Sequence, residues 1–260
     1  LFPSAEVRFT RPVGLLRDLT ETEPGLTVVI LDIAINETQR EQILSKMGEL
    51  SKSGEVIYVD HHPLPYRMLK RDIPATTVAH EVGPSAAELT FRLFRNGLRP
   101  DHELLAIWGA IADYCEQTPF VQNGLGKYDR RTVYMEAGLL SQAIGEAGGD
   151  YEFKRTVVEA LSRLTPPTKI PDLVRRAIEA TEQELELYSY VRSNVERMGP
   201  LAVVRQLPRG SLGKAAMFAV GLTGAEVGLC ARRSGDEIDI SLRRRRDSAV
   251  DLNEVLRRIV

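Results

Sequence analysis

The sequence predicts an α/β fold in which a parallel-sheet domain is joined by a helical linker to a smaller α/β domain. Three observations predict it. Residues 26–60 alternate strand, helix and strand, the signature of a βαβ unit with a parallel sheet and a right-handed crossover. "LTPPTKIP" (164–171) breaks the chain with prolines, and a long helical pattern follows it up to Gly199–Pro200. Beyond that point short β-branched segments return. The expected boundaries are 1–165 for the first domain, 166–198 for the linker and 199–260 for the second domain.

Taken in order, "EVRF" (6–9) and "LTVVILDI" (26–33) read as strands, the second apolar enough to be buried on both faces. "NETQREQILSKMGELSKSG" reads as a helix with Asn36 as N-cap and Gly54 as its stop. "EVIYVD" (55–60) is the next strand, and "TTVAHEV" a further one. Pro84 and Ser85 supply the start of a helix over "AAELTFRLFRNG". "DHELLAIWGAIADYCEQT" is apolar at helical spacing and delivers Asp113 near its end, and "RRTVYMEAGLLSQAIGEAGG" is another helix. In the second domain the order is strand "LAVVRQLP", helix "GSLGKAAMFAVGL", strands "AEVGLCARR" and "EIDISLRRR", and helix "DLNEVLRRIV".

Composition narrows the class of protein. Hydrophobic residues make up 43% and charged residues 27%, as in a globular protein, and no apolar run is long enough to span a bilayer. The N-terminal "LFPSAEVRF" is no secretion signal, and it lacks an initial Met. Cys115 and Cys230 form no CxxC pair, which argues against a disulfide framework or a thiolate zinc site and for a reducing, cytoplasmic setting. The net charge of −2 is uneven: residues 199–260 hold 11 Lys/Arg and 7 Asp/Glu, whereas 1–198 hold 23 and 29. An acidic part suits cations and a basic part suits anions, although chance produces such a split often.

The chemistry concentrates at strand ends. In open parallel α/β sheets functional groups gather at the carboxyl ends of the strands. Asp32 follows "TVVIL", while Asp60, His61 and His62 follow "EVIYV". Carboxylates beside imidazoles are costly to bury unless they meet a cation, and this donor mix suits Mn²⁺, Fe²⁺ or Zn²⁺. Taken alone, "DHH" could be a polar turn that ends a strand, and Asp32 could be the N-cap of a following helix. Asp113 is an unpaired acid in an apolar helical pattern, which favours a ligand role.

"VVILD", then "VDHHP", then "GAIADY" resembles the DHH phosphoesterase superfamily, of the RecJ-like exonuclease and nanoRNase type. "DEIDISLRRRRDSAVDLNEVL" likewise resembles the small DHHA1 substrate domain that follows in that family. The resemblance implies a metal-dependent phosphodiesterase or exonuclease. It would hydrolyse single-stranded DNA or RNA, or short oligonucleotides, with a water activated by two Mn²⁺ ions (Mg²⁺ being the alternative). It further implies Asp32, His61 and Asp113 as metal ligands and His62 as the contact to the scissile phosphate. Asp60 would orient the site, and Arg243 of "SLR" would hold a substrate phosphate. The family's N-terminal D-x-D motif and C-terminal GGGH motif are not present in the chain, so the expectation is of an incompletely represented protein.

Two other functions compete with the exonuclease. One is a catalytically inactive binding protein with a replication or repair partner. The other is a phosphodiesterase for cyclic dinucleotides or small nucleotides. His80 and His102 are expected to be structural, Arg244–Arg246 solvated, and Cys115 a small buried residue. "GSLGKAA" lacks the spacing of a P-loop.

Overall fold

A computed structural model describes Phe2 and residues 4–259 of the chain. The chain falls into two compact units, Leu1–Ala177 and Ile178–Val260.

The first unit contains α1 (Leu15–Thr20), β1 (Thr27–Leu31), α2 (Arg40–Ser53), β2 (Glu55–Asp60), β3 (Thr77–His80) and α3 (Ala86–Phe94). It continues through α4 (Glu103–Ala112), α5 (Pro119–Leu125), α6 (Arg130–Glu146), α7 (Tyr151–Ser162) and the start of α8 (Pro171–Asn194). β1, β2 and β3 form a parallel sheet in that order, with Val29 opposite Ile57 and Asp60 opposite His80. β2 is central, and its alternation sorts its side chains between two cores. Val56 and Tyr58 join Leu15, Leu19, Ile43 and Met47 on one face, while Ile57 and Val59 pack with Leu89 on the other. Full burial of a side chain as large as Tyr58 contributes on the order of 1.5–3 kcal/mol. This double burial is why "VIYV" has no charged residue, and its one side-chain polar group, the Tyr58 hydroxyl, is hydrogen-bonded.

Helix starts follow the sequence signals. Asn36 accepts from Thr38 N–H at the 3₁₀ turn Glu37–Gln39 that leads into α2, and Ser85 caps α3 by accepting from Glu88 N–H. A third core lies among α4, α5, α6, α7 and the first turns of α8, centred on Ile107, Val121, Ala137, Val157 and Leu173.

"EVRF" forms no strand. Glu6 and Arg8 pair with each other, at 2.8 Å. The Val7 carbonyl accepts from Arg155 of α7, and Phe9 stacks on Tyr151 with ring centroids 5.8 Å apart. Side chains of α7 thus hold this segment where a ladder was expected.

The second unit holds the rest of α8, then β4 (Glu196–Met198), β5 (Leu201–Val204), α9 (Leu212–Thr223), β6 (Val227–Ser234), β7 (Glu237–Arg244) and α10 (Leu252–Ile259). Its sheet order is β4-β5-β6-β7, with β5 and β6 parallel and both outer pairs antiparallel. α9 lies so close to β6 that a Cβ on Gly228 would fall 2.1 Å from the Ala216 carbonyl oxygen. The long helix of the expected linker is α8. Its Leu173 and Ala177 belong to a core of the first unit, and its Leu187 and Val191 to that of the second. β4 occupies residues that sequence reasoning gave to the linker. No helix among the described residues is long and apolar enough to cross a membrane.

Candidate metal centre

Three segments of the first unit bring their polar ends together. β1 and β2 run side by side, so Asp32 and the Asp60–His62 segment leave the sheet at neighbouring carboxyl ends. Asp32 N–H donates to the Val59 carbonyl (2.9 Å), extending the ladder by one bond, and its φ of 58° then turns the chain sharply. The third segment is the end of α4, where Asp113 is the C-cap and Tyr114, at φ 58°, adopts the left-handed conformation. Such a conformation costs a non-glycine residue roughly 1–2 kcal/mol. Two of the four described non-glycine residues at positive φ therefore lie at this one site, where strain of this kind tends to collect.

Side chains from the three segments converge. His61 Nε2 lies 2.9 Å from Asp113 Oδ2 and 3.3 Å from Asp32 Oδ1. His62 Nδ1 lies 3.8 Å from Asp32 Oδ1 and 2.7 Å from Asp60 Oδ1. Asp32 and Asp113 are about half exposed and His61 is largely covered, so the cluster is open on its carboxylate side. One imidazole nitrogen carries at most one proton, yet Nε2 of His61 faces two carboxylates from different elements. A divalent cation among these oxygen and nitrogen donors would satisfy all of them, and the donor set fits such an ion. Asp32, His61 and His62 place one donor atom each within 4.8 Å of one another, as do His61, Asp113 and Cys115.

No family model matches the chain. No curated protein matches it either. Among solved structures, a pGpG-specific phosphodiesterase, PggH from Vibrio cholerae, aligns with a TM-score of 0.54 at 11% identity, over 90% of this chain and 88% of that one. An exopolyphosphatase-related protein from Bacteroides fragilis aligns with a TM-score of 0.46 at 16% identity, covering 88% of this chain. The chain spans 61% of the length of that Bacteroides protein. The chain shares the fold of that Vibrio phosphodiesterase.

Within that fold, Asp60 is the most enclosed member of the cluster, 1% exposed on the Tyr58 side of β2. The Tyr58 hydroxyl lies 2.9 Å from both Asp60 Oδ2 and the Ile33 carbonyl, so its single proton is shared between two acceptors. Burial pushes Asp60 up, but the bonds from His62 and Tyr58 together hold its carboxyl below the usual range. Asp60 is therefore an ionised acceptor, and His62 donates to it through Nδ1. The same bond raises His62, against the opposing effect of burial. At Asp32 burial raises the carboxyl, the two imidazoles pull it down, and the Asp113 and Asp60 charges add to the rise.

Two residues that sequence reasoning set aside belong to the surroundings of the site. His80, the cross-strand partner of Asp60, has Nε2 2.8 Å from the His62 carbonyl and so ties β3 to the backbone of the pair. Its signal was its place in "TTVAH", a strand beside "EVIYVD". Cys115 has Sγ 4.0 Å from His61 Nδ1 and 3.9 Å from Asp113 Oδ2. Its signal was only its distance of two residues from Asp113. Burial first, and then the Asp113 charge, push the Cys115 thiol up to about 11. His102 is remote from the cluster, bonded to the Arg99 carbonyl at 3.2 Å.

Arg243 lies in the second unit on β7. Nη1 donates to the Leu242 carbonyl (2.8 Å) and to Ser241 Oγ (3.2 Å). Its guanidinium rests against the first turn of α9, where a Cβ on Gly213 would come within 2.7 Å of Nη2. Glycine there leaves room for the planar group beside the positive end of the helix.

Proposed function

We propose that the protein is a metal-dependent phosphodiesterase that hydrolyses short oligonucleotides of the dinucleotide class. The observation that carries this reading is the convergence of Asp32, His61, His62 and Asp113 from three segments at the carboxyl end of a parallel sheet. The fold shared with PggH, a pGpG-specific phosphodiesterase, supports a substrate of two or a few nucleotides. Longer single-stranded DNA or RNA, and cyclic dinucleotides, remain members of the same chemical class to be compared with it.

In this reading Asp32, His61 and Asp113 hold divalent cations, with Mn²⁺ the first choice and Mg²⁺ the second. The bound cations would supply Lewis-acid charge for activating water and for neutralising the phosphate oxygens. The rest is done by the chain's own side chains. Asp60 accepts from His62 Nδ1 and thereby fixes the ring, leaving Nε2 as the nitrogen available to a phosphate or leaving oxygen. Asp60 thus acts through His62, as a positioning residue. The Tyr58 hydroxyl, which also bonds the Ile33 carbonyl, holds Asp60 in place. Arg243, with its fork against α9, is suited to a terminal phosphate.

The test is hydrolysis of a linear dinucleotide, a cyclic dinucleotide and a labelled single-stranded oligonucleotide, each with Mn²⁺, by wild type and by Asp32→Ala. Metal-dependent cleavage of at least one, fastest for the linear dinucleotide and absent from the variant, supports the reading. Metal binding without cleavage of any would favour the alternative of an inactive DHH-fold binding protein.

A further inference from the structure

Cys115 is placed by the way α4 ends. Cys115 N–H donates to the Ala110 carbonyl (2.7 Å) and Tyr114 N–H to Ile111 (3.1 Å), closing the helix around the left-handed Tyr114. This reversal aims the side chains on either side of Tyr114, Asp113 and Cys115, at the same point. Tyr114 itself is thrown outward and is 73% exposed. A large aromatic held in a left-handed conformation with its ring in solvent gains little there. What the turn achieves is the pairing of its two neighbours next to His61.

We propose that Cys115 is a metal ligand, so that His61, Asp113 and Cys115 form a nitrogen–oxygen–sulfur site for a borderline-soft divalent cation such as Zn²⁺, Fe²⁺ or Co²⁺. This rests on the metal-centre reading above and departs from it in one respect: where Cys115 joins His61 and Asp113, a borderline-soft cation takes precedence over the Mn²⁺ named there. The spacings suit it. Sγ lies 3.9 Å from Asp113 Oδ2 and 4.0 Å from His61 Nδ1, while Asp113 Oδ2 lies 2.9 Å from the other ring nitrogen, Nε2. One donor atom from each of the three residues falls within 4.8 Å of the others. Metal–sulfur bonds of about 2.3 Å and metal–nitrogen or metal–oxygen bonds of about 2.0–2.2 Å place donors at comparable separations. Sulfur discriminates against Mg²⁺ and Mn²⁺, which prefer oxygen. On binding, the thiol proton leaves to solvent and the sulfur lone pair forms the bond to the cation, with no redox change. The set Asp32, His61 and His62 contains no sulfur, so the two overlapping groups differ in chemistry and share His61.

The bland alternative is that Cys115 packs against the helical core, which it does touch, and that its thiol donates to the Asp113 carbonyl (3.4 Å), with a weak contact to His61 Nδ1 (4.0 Å). Titration of the whole metal-free chain with Co²⁺, followed by absorption, separates the cases. The wild type is expected to develop visible ligand-field bands together with a near-ultraviolet sulfur-to-cobalt charge-transfer band. Cys115→Ser should keep the ligand-field bands, lose the charge-transfer band, and bind Zn²⁺ at least about tenfold more weakly, a loss that supporting residues alone can cause. Cys230→Ala should keep both bands, because Cys230 is buried in the core of the second unit. Ligand-field bands without charge transfer in the wild type would overturn ligation by Cys115 and leave the metal centre standing. Absence of any Co²⁺ spectrum would overturn the metal centre and this inference with it.

Discussion

Asp60 Oδ1 and His62 Nδ1 lie 2.7 Å apart, with the carboxylate buried on β2 and the imidazole half open to solvent. The pair spans two residues of one strand end, so the backbone sets its geometry before any ligand arrives. Asp60→Asn keeps the shape but replaces a charged acceptor with an amide. Activity is expected to fall about 10- to 100-fold, the scale for residues that orient a metal centre, with circular dichroism unchanged. Tyr58→Phe removes one hydroxyl from the same network and should cost about 1 kcal/mol in urea unfolding.

Asp32 offers a contrast between stability and function. At φ 58° it occupies a conformation natural to glycine, and its carboxylate faces the charges of Asp113 and Asp60. Asp32→Gly and Asp32→Ala should both abolish metal-dependent activity. The glycine variant should nevertheless be the more stable of the two, by about 1 kcal/mol, because alanine keeps the strain. Equal stabilities measured by denaturant titration would contradict the backbone part of this argument.

Glu88 anchors the segment that follows the site. It is fully buried on α3, accepts from Thr118 Oγ1 (2.7 Å) at the start of α5 and pairs with Arg92. Glu88→Ala leaves the Thr118 hydroxyl and part of Arg92 without this partner. A loss of about 1–3 kcal/mol is expected, read as a lower thermal midpoint, and Glu88→Gln should recover part of it.

Acid sensitivity should come partly from α7 and α8. Asp150 caps α7 by accepting from Phe153 N–H and pairs with Arg176 of α8 (2.7 Å), which also bonds Asp172 (3.1 Å). The backbone bond first, and Arg176 next, hold Asp150 below the usual carboxylate range; Arg175 and Arg176 do the same for Asp172. Groups depressed in the folded state contribute stability above the unfolded value of about 3.9 and lose it as pH falls through the folded value. The unfolding midpoint should therefore be insensitive to these groups near neutrality and decline below about pH 4. Asp150→Ala should flatten that decline, modestly because the groups are exposed.

Much of this was readable in the residues, because the strongest signals are local. "VIYV" is apolar without a break because β2 is covered on both faces, and Ser85 and Asn36 mark helix starts by their own side-chain bonds. Asp32, His61, His62 and Asp113 could be picked out because strand ends and one odd acid in an apolar helix are visible in one dimension. What could not be read depends on tertiary partners. "EVRF" has strand composition, yet Arg155 and Tyr151, far along the chain, engage it first. β4 is three residues long and exposed, defined only by its pairing with β5. The place of Cys115 follows from the left-handed turn at Tyr114, a conformation that a tyrosine does not announce.

The most direct test of the central claim is hydrolysis of a linear dinucleotide such as pGpG with and without Mn²⁺, comparing wild type with His61→Ala. His61 is the side chain that both carboxylates approach, at 2.9 and 3.3 Å. Release of mononucleotide that requires the cation, stops on chelation and disappears in His61→Ala is the expected result. Cleavage that persists undiminished in His61→Ala, or in the presence of chelator, would contradict the account.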